Sequence, residues 1–305
     1  MFYVHLLWIQ VPQLHSKKFD VMVYKKNVAK HVARTNRSAL RHSERTTRVR
    51  LEETYKQLTR TEKKAVKFLS KDTVIVKKDT ELQVLPLILS DSKGKHLRKV
   101  SICKKLEDQI TWWDESGRTL EEGLALLYEK REFLSKFSWN GGIHRVHVYC
   151  FLGTNDLTDK PGRFVEIRAR DDAAVDRLIQ NTRDIARYLD QLEIRFTFFP
   201  LPVFSIRKFN ESRGHDNPEI YIDDDKSLQS QLIKYNQEIC RINSVNNVRG
   251  LQLNCDISRN STNRSGNTSR HYAWEMFKDG IHPSNLLSRV WYTKIQKRIL
   301  DDCYW

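Results

Sequence analysis

The sequence predicts an α/β protein in which a parallel sheet of about five strands is covered by helices on both faces, preceded by a basic, partly helical arm. Three observations lead there. From about residue 81, short apolar runs alternate with amphipathic stretches of helical length, the texture of strand–helix–strand units. Residues 24–67 instead hold dense Lys, Arg, Thr and Glu, no Gly or Pro, and few large apolar side chains, so a helix there has little to bury. The charge divides in the same way: residues 1–100 carry 23 Lys and Arg against 9 Asp and Glu, a net of +14, whereas residues 101–305 are nearly balanced at +1. We therefore expect a basic arm over 1–80 and a folded domain over 81–305.

The strands are expected at 83–89, 110–113, 146–152, 194–199 and 251–255, each a short apolar run bounded by turn residues. Helical spacing appears between them. Leu120, Leu124, Leu127 and Phe133 mark 119–133, and Val175, Leu178, Ile179, Ile185 and Leu189 mark 171–189. Segments 227–242 and 284–299 pass the same test. Strands separated by helices of this length pair in parallel. In such sheets ligands sit at the carboxyl ends of the strands.

A chain of 305 residues can bury one sizeable core and carry an appendage. No stretch approaches the roughly 20 apolar residues of a membrane span. Cys103, Cys150, Cys240, Cys255 and Cys303 are odd in number and have no CxxC spacing, which suits thiols in a reducing compartment. The apolar opening MFYVHLLWIQVPQL has no basic residue before it and no small-residue cleavage site. Asn-x-Ser/Thr triplets stand at Asn36, Asn210, Asn260, Asn263 and Asn267, three of them in an Asn- and Ser-rich run where chance produces such triplets readily. An intracellular protein, cytoplasmic or nuclear, is expected.

The carboxyl ends of the expected strands carry the residues with chemistry. The first runs into Ser90-Asp91-Ser92-Lys93-Gly94, a turn of small polar residues before a helical stretch. A serine there is exposed at the top of the sheet beside a helix N-terminus, whose free N–H groups favour a forming oxyanion. The second runs into Asp114-Glu115-Ser116-Gly117 and the third into Gly153-Thr154-Asn155-Asp156. Glycine lets backbone turn tightly beside a ligand, and asparagine offers a side-chain N–H to an oxyanion. Near the C-terminus comes Asp279-Gly280-Ile281-His282-Pro283-Ser284. A carboxylate three residues from a histidine, with Gly between, can reach the ring Nδ1–H and leave Nε2 to accept the serine proton. Pro283 disfavours a helical His282, and Ser284 or Asn285 can cap the final helix.

In order, these blocks resemble those of the SGNH/GDSL hydrolases: Gly-Asp-Ser, a glycine, Gly-x-Asn-Asp and Asp-x-x-His, over residues 80–302. The resemblance implies a three-layer, flavodoxin-like fold and a serine ester hydrolase acting on a small ester or acylated substrate without cofactor or metal. It implies Ser92 as nucleophile, His282 as base and then acid, and Asp279 as its orienter. The Ser92 and Gly117 N–H groups and the Asn155 amide would form the oxyanion hole, with Asp91, Gly153 and Asp156 in support. The first block departs from the family at Ser90, where a glycine is usual; if that glycine needs an unusual backbone angle, the turn is distorted. Ser90 is also a rival nucleophile.

Other features have plainer readings. His144 and His147 are expected to be structural or solvent-facing. Trp112, Trp113, Phe196, Phe198 and Phe199 are expected in the core, and Asp223, Asp224 and Asp225 at a solvated helix N-terminus. The arm, with 13 Lys and Arg against 4 acids from Tyr24 to Lys64, opens a second function. A nucleic-acid-binding protein would use residues 24–67 on phosphates, with an inactive or weakly active hydrolase-like domain. Animal mobile elements encode esterase-like domains in a loosely similar layout. Against it stands a plain helix of mixed solvated charge. A third reading is a domain that recognises acylated groups without cleaving them.

Overall fold

The computed structural model describes residues 54–77, 80–136, 145–262 and 268–304; most of the basic arm, Asn36, His144, Asn263 and Asn267 lie outside them. A division between Lys63 and Lys64 separates two units, and the fold that follows is that of Lys64–Trp305. Helix α1 (Arg60–Lys71) crosses that division. It opens on a capping box: the Thr59 N–H donates to the Glu62 carboxylate at 2.8 Å and the Glu62 N–H to the Thr59 hydroxyl at 3.2 Å.

Strands β1 (Val84–Ser90), β2 (Thr111–Asp114), β3 (Arg145–Phe151) and β4 (Arg195–Phe198) form the central sheet in the order β2-β1-β3-β4, every pair parallel. Parallel neighbours need crossovers. Helices α2 (Ser92–Arg98), α3 (Leu120–Glu129) and α4 (Ala173–Gln191) lie in them, and α5 (Ile206–Ser212), α6 (Ile222–Val245) and α7 (Asn285–Cys303) follow β4. The chain leaves β1 for one side and later passes to the other between β1 and β3, the topological switch point at which α/β sheets bind ligands. Ser90 stands level with Asp114 on one neighbour and Phe151 on the other.

β1 is buried on both faces, with Leu87, Ile88 and Leu89 inaccessible, as a central parallel strand requires. A proline inside it would ordinarily cost a ladder bond. Pro86 does not. The Ser90 carbonyl accepts from Glu115 beyond the end of β2, so by the period of two Pro86 faces the same side, and pairing with β2 begins only at Leu87.

The helices cover both faces. Phe151 meets Trp291 of α7 edge-on, and the Tyr149 hydroxyl donates to Asp302 at 2.9 Å. On the other face a Cβ at Gly123 of α3 would stand 2.6 Å from Leu152 and 3.5 Å from Leu89. α6 packs behind α4, where the Tyr235 and Thr182 hydroxyls share a hydrogen bond of 3.1 Å.

Several expectations change. The fifth strand, 251–255, is absent: those residues form an irregular segment ending in a short 3-10 turn, and the sheet has four strands. A side chain takes the place of pairing at the β4 edge. The Asn243 amide of α6 accepts from the Phe198 N–H at 3.1 Å and donates to its carbonyl at 2.8 Å, as a strand would. Asn236 treats Leu201 in the same way, and Asn210 of α5 treats Val165. Asn210, in one of the Asn-x-Ser/Thr triplets, is thus fully buried and occupied. Segment 119–133 breaks after Glu129 into a second short helix, Arg131–Ser135. Trp112 and Trp113 are half-buried because β2 is an edge strand, whereas Phe196, Phe198 and Phe199 are buried. Of the three aspartates, only Asp223 is at a solvated surface. Asp224 is buried and pairs with Arg170 at 2.7 Å; Asp225 accepts from the Ser205 hydroxyl at 2.5 Å and the Ile206 N–H at 2.7 Å. No helix among the described residues is long and apolar enough to cross a membrane, and all five cysteines are free thiols.

Candidate active site

β1 ends at Ser90, and Asp91, in extended backbone, caps α2 by accepting from the Lys93 N–H at 2.8 Å. Ser92 is therefore the first helical residue, and its N–H has no partner within the helix. The Asp91 carboxylate also holds the Lys93 ammonium, which reaches Thr154 Oγ1 at 2.5 Å and lies 5.2 Å from the Phe151 ring centroid. Both Asp91 and Lys93 are buried. This ion pair ties the turn after β1 to the turn after β3.

Ser90 is fully buried; its hydroxyl donates to the Phe151 carbonyl at 3.2 Å and accepts from the Gly94 N–H at 3.1 Å. It cannot reach a substrate, which removes it as a rival nucleophile. Nor does it distort the turn, since Ser90 has ordinary strand backbone with negative φ. Room for its side chain comes from Gly94, where a Cβ would stand 2.9 Å from the Cβ atoms of both Ser90 and Asp114.

Ser92 Oγ is 3.1 Å from His282 Nε2, and His282 Nδ1 is 2.8 Å from Asp279 Oδ2. The other Asp279 oxygen accepts from the His282 N–H at 2.8 Å and the Ile281 N–H at 3.1 Å. Burial alone would raise the pKa of Asp279, but the hydrogen bonds from the His282 ring and these two backbone groups outweigh it and hold the carboxyl below its usual range. An ionised carboxylate on Nδ1 fixes the tautomer that leaves Nε2 to accept a proton.

The loop carrying this pair is docked at several points. Phe277 bridges to Pro283, the Lys278 N–H donates to the His282 carbonyl at 2.8 Å, and the Gly280 carbonyl accepts from the Ser205 N–H at 3.0 Å. Gly280 has φ +88, and a Cβ there would stand 2.9 Å from both the Phe209 nitrogen and the Ser205 oxygen. Only glycine fits this approach to the start of α5. Ser284 caps α7, accepting from the Leu287 N–H at 3.3 Å.

The remaining expected residues join the turns after β2 and β3. Gly117 has φ +90, and the loop around it is braced by Arg118, which reaches the Trp113 carbonyl at 2.7 Å and Glu115 at 2.6 Å. Asn155 Nδ2 donates to the Arg118 carbonyl at 3.1 Å, using one of its two N–H groups. Both Asp156 oxygens accept from the Leu120 N–H at 3.1 Å, holding the start of α3. Burial pushes the Asp156 carboxyl up to about 6, against the Leu120 hydrogen bond and the Arg168 charge. Gly153 turns the chain with φ +125 where a Cβ would meet Leu201 at 2.9 Å.

Sequence reasoning missed Lys93, His96, Arg213 and Phe209. His96 had a usable signal: it lies four residues from Ser92 on one helix, and such residues share a face. Its ring centroid is 4.9 Å from that of His282. Among the described residues no group of three or more His, Cys, Asp or Glu could hold a metal ion. Grooves of about 580 and 510 Å³ lie between α4 and α6.

No known family's sequence description matches this chain, and no curated protein matches it. Solved structures do. A GDSL-like lipase from Bacteroides thetaiotaomicron VPI-5482 is 15% identical, with a TM-score of 0.49 over 79% of this chain and 97% of that one. An acetylxylan esterase from Geobacillus stearothermophilus is 14% identical, with a TM-score of 0.41 over 70% of this chain and 92% of that one. The C-terminal domain of the Drosophila Oskar protein is 9% identical, with a TM-score of 0.42 over 70% of this chain and 86% of that one.

Proposed function

We propose that this chain is a serine ester hydrolase of the SGNH type, working through an acyl-enzyme on Ser92. One observation carries the reading: a half-buried serine hydroxyl 3.1 Å from an imidazole whose other nitrogen is 2.8 Å from an ionised carboxylate, at the carboxyl end of a central parallel strand. Ser92 Oγ attacks the ester carbonyl carbon as His282 Nε2 takes its proton, and the Asp279 carboxylate steadies the imidazolium through Nδ1–H. The carbonyl oxygen becomes an oxyanion, for which the Ser92 and Gly117 N–H groups and the second N–H of the Asn155 amide are the proposed donors. Collapse expels the alcohol oxygen, which leaves with the proton held by His282. A water then gives a proton to His282, attacks the acyl carbon, and returns the enzyme and a carboxylic acid.

The test is Ser92→Ala assayed on a short-chain aryl ester. Turnover should fall by roughly 10⁴-fold or more, as when a nucleophile is removed from such a constellation. The unfolding midpoint should stay unchanged, since Oγ supports no other part of the fold described above. Turnover that survives in the variant would refute the assignment.

A further inference from the structure

Three cations from three separate segments act on the neighbours of the Ser92–His282 pair: Lys99 and Lys278 on His96, Arg213 on Asp279. Lys99 directly follows α2, three residues after His96. Lys278 directly precedes Asp279, with its backbone bonded to His282. Arg213 follows α5, lying over the Phe209 ring at 4.9 Å with Nη2 3.9 Å from Asp279 Oδ2, and Phe209 is 6.4 Å from the His282 ring. Neighbouring cations are matched: Arg98 with Asp114, Arg118 with Glu115, Lys208 with Glu211. Lys99 and Lys278 are exposed and have no ion-pair partner among the described residues. Arg213 is 46% exposed and shares Asp279 with three N–H donors at shorter range.

His96 sits among these charges. Burial first, then the neighbouring His282 imidazole and the charges of Lys99 and Lys278, pushes its pKa down to about 4, with Asp279 alone acting the other way. It stays a neutral imidazole near pH 7, able to donate or accept a hydrogen bond. With the Asp279 carboxylate already shared among three N–H donors, the positive charge of Lys99, Lys278 and Arg213 exceeds the negative charge beside it, and such an excess concentrates anions from solution.

We propose that the ester taken by this site carries an oxyanion group, a carboxylate, sulfate or phosphate, which Lys99, Lys278 and Arg213 receive around His96. This rests on the hydrolase reading of Ser92 and names its substrate class. A neutral ester gains nothing from the three cations, whereas an anionic one is both concentrated and oriented by them.

The experiment compares the full chain on 3-acetoxybenzoate and on its methyl ester, each rate divided by that ester's uncatalysed hydrolysis. The anion should be preferred in kcat/KM by about tenfold at low salt. The preference should shrink toward parity near 1 M salt, where the screening length is about 3 Å. Lys99→Glu and Lys278→Glu should each reduce the preference. Lys105→Glu makes the same charge change before β2, at the opposite end of the sheet, and should leave it intact. Equal turnover of both esters, lost in Ser92→Ala, overturns the inference and leaves the hydrolase reading standing. If neither ester is turned over and a fluorophosphonate probe does not label Ser92, both fall. If the probe labels Ser92 without turnover of either ester, equal protection by benzoate and benzamide overturns the inference.

Discussion

His282 and His147 are both hydrogen-bonded imidazoles of one domain, and they are built for opposite ends. The His282 side chain is 20% exposed, with a carboxylate on one nitrogen and a serine hydroxyl on the other. His147, near the amino end of β3, is 2% exposed, lies flat against Tyr149 at 4.3 Å and is hydrogen-bonded to the Thr197 hydroxyl at 2.8 Å. Its Nδ1 is buried with no hydrogen-bond partner among the described residues. Burial, and then the charges of Arg298 and Arg195, push His147 down to about 3. An imidazole can cycle a proton only where its cation is met by negative charge and its ring can reach a substrate. His147 has neither and is a core side chain.

The sharpest way to break this comparison is to remove each ring. His282→Ala should lower kcat/KM on an aryl ester by about 10⁴-fold and cost about 1–3 kcal/mol in stability, because it takes a hydrogen bond from the buried Asp279 carboxylate. His147→Phe should keep turnover within a few-fold and cost about 1 kcal/mol in denaturant unfolding, mainly for the Thr197 hydroxyl left unpaired. Equal activity losses in the two variants would erase the distinction.

A second contrast separates charge from burial as the support of each region. The turn before Ser92 rests on the buried Asp91–Lys93 pair. Lys93→Met leaves the Asp91 charge buried and unpaired and should cost about 3–5 kcal/mol. Adding Asp91→Asn should recover part of that loss, because no net charge then remains buried while a side-chain cap is kept. Chemical denaturation of the single and double variants measures both.

A third contrast is in the pH dependence, where two buried groups act with opposite sign. His147 has a depressed pKa, so the stability it contributes is fully present above 6.5 and is lost as pH falls toward about 3. Asp156 has a raised pKa, so its contribution is present below 3.8 and is lost as pH rises through about 6. Relative to the parent, His147→Phe should therefore gain stability on acidification from pH 6.5. Asp156→Asn should gain on going from pH 4 to 7. Unfolding curves at several pH values check the two slopes.

Much of the architecture was legible because its signals are local. β1, β3 and β4 are apolar runs ending in turn residues, and α4 shows its buried stripe at Val175, Leu178, Ile179, Ile185 and Leu189. The segment 251–255 carried the same local signal and is not a strand. What excludes it is Asn243 on Phe198, a pairing across 45 residues that no window of sequence contains. Lys93 likewise read as one more cation in a basic run; its burial depends on Asp91, Thr154 and Phe151 closing around it.

The sequence by itself determined the order of turns at the strand ends, the glycines at Gly153 and Gly280, and the Asp-x-x-His spacing that lets a carboxylate reach its own histidine, because each is a matter of a few residues' geometry. Only the tertiary structure decided that His282 meets Ser92 across 190 residues, that Ser90 is buried without strain beside Gly94, and that Arg213 comes to Asp279 while Lys99 and Lys278 act on His96. Those follow from how the strands register and how α2, α5 and the 277–283 loop pack together, which depends on the shape of the whole core.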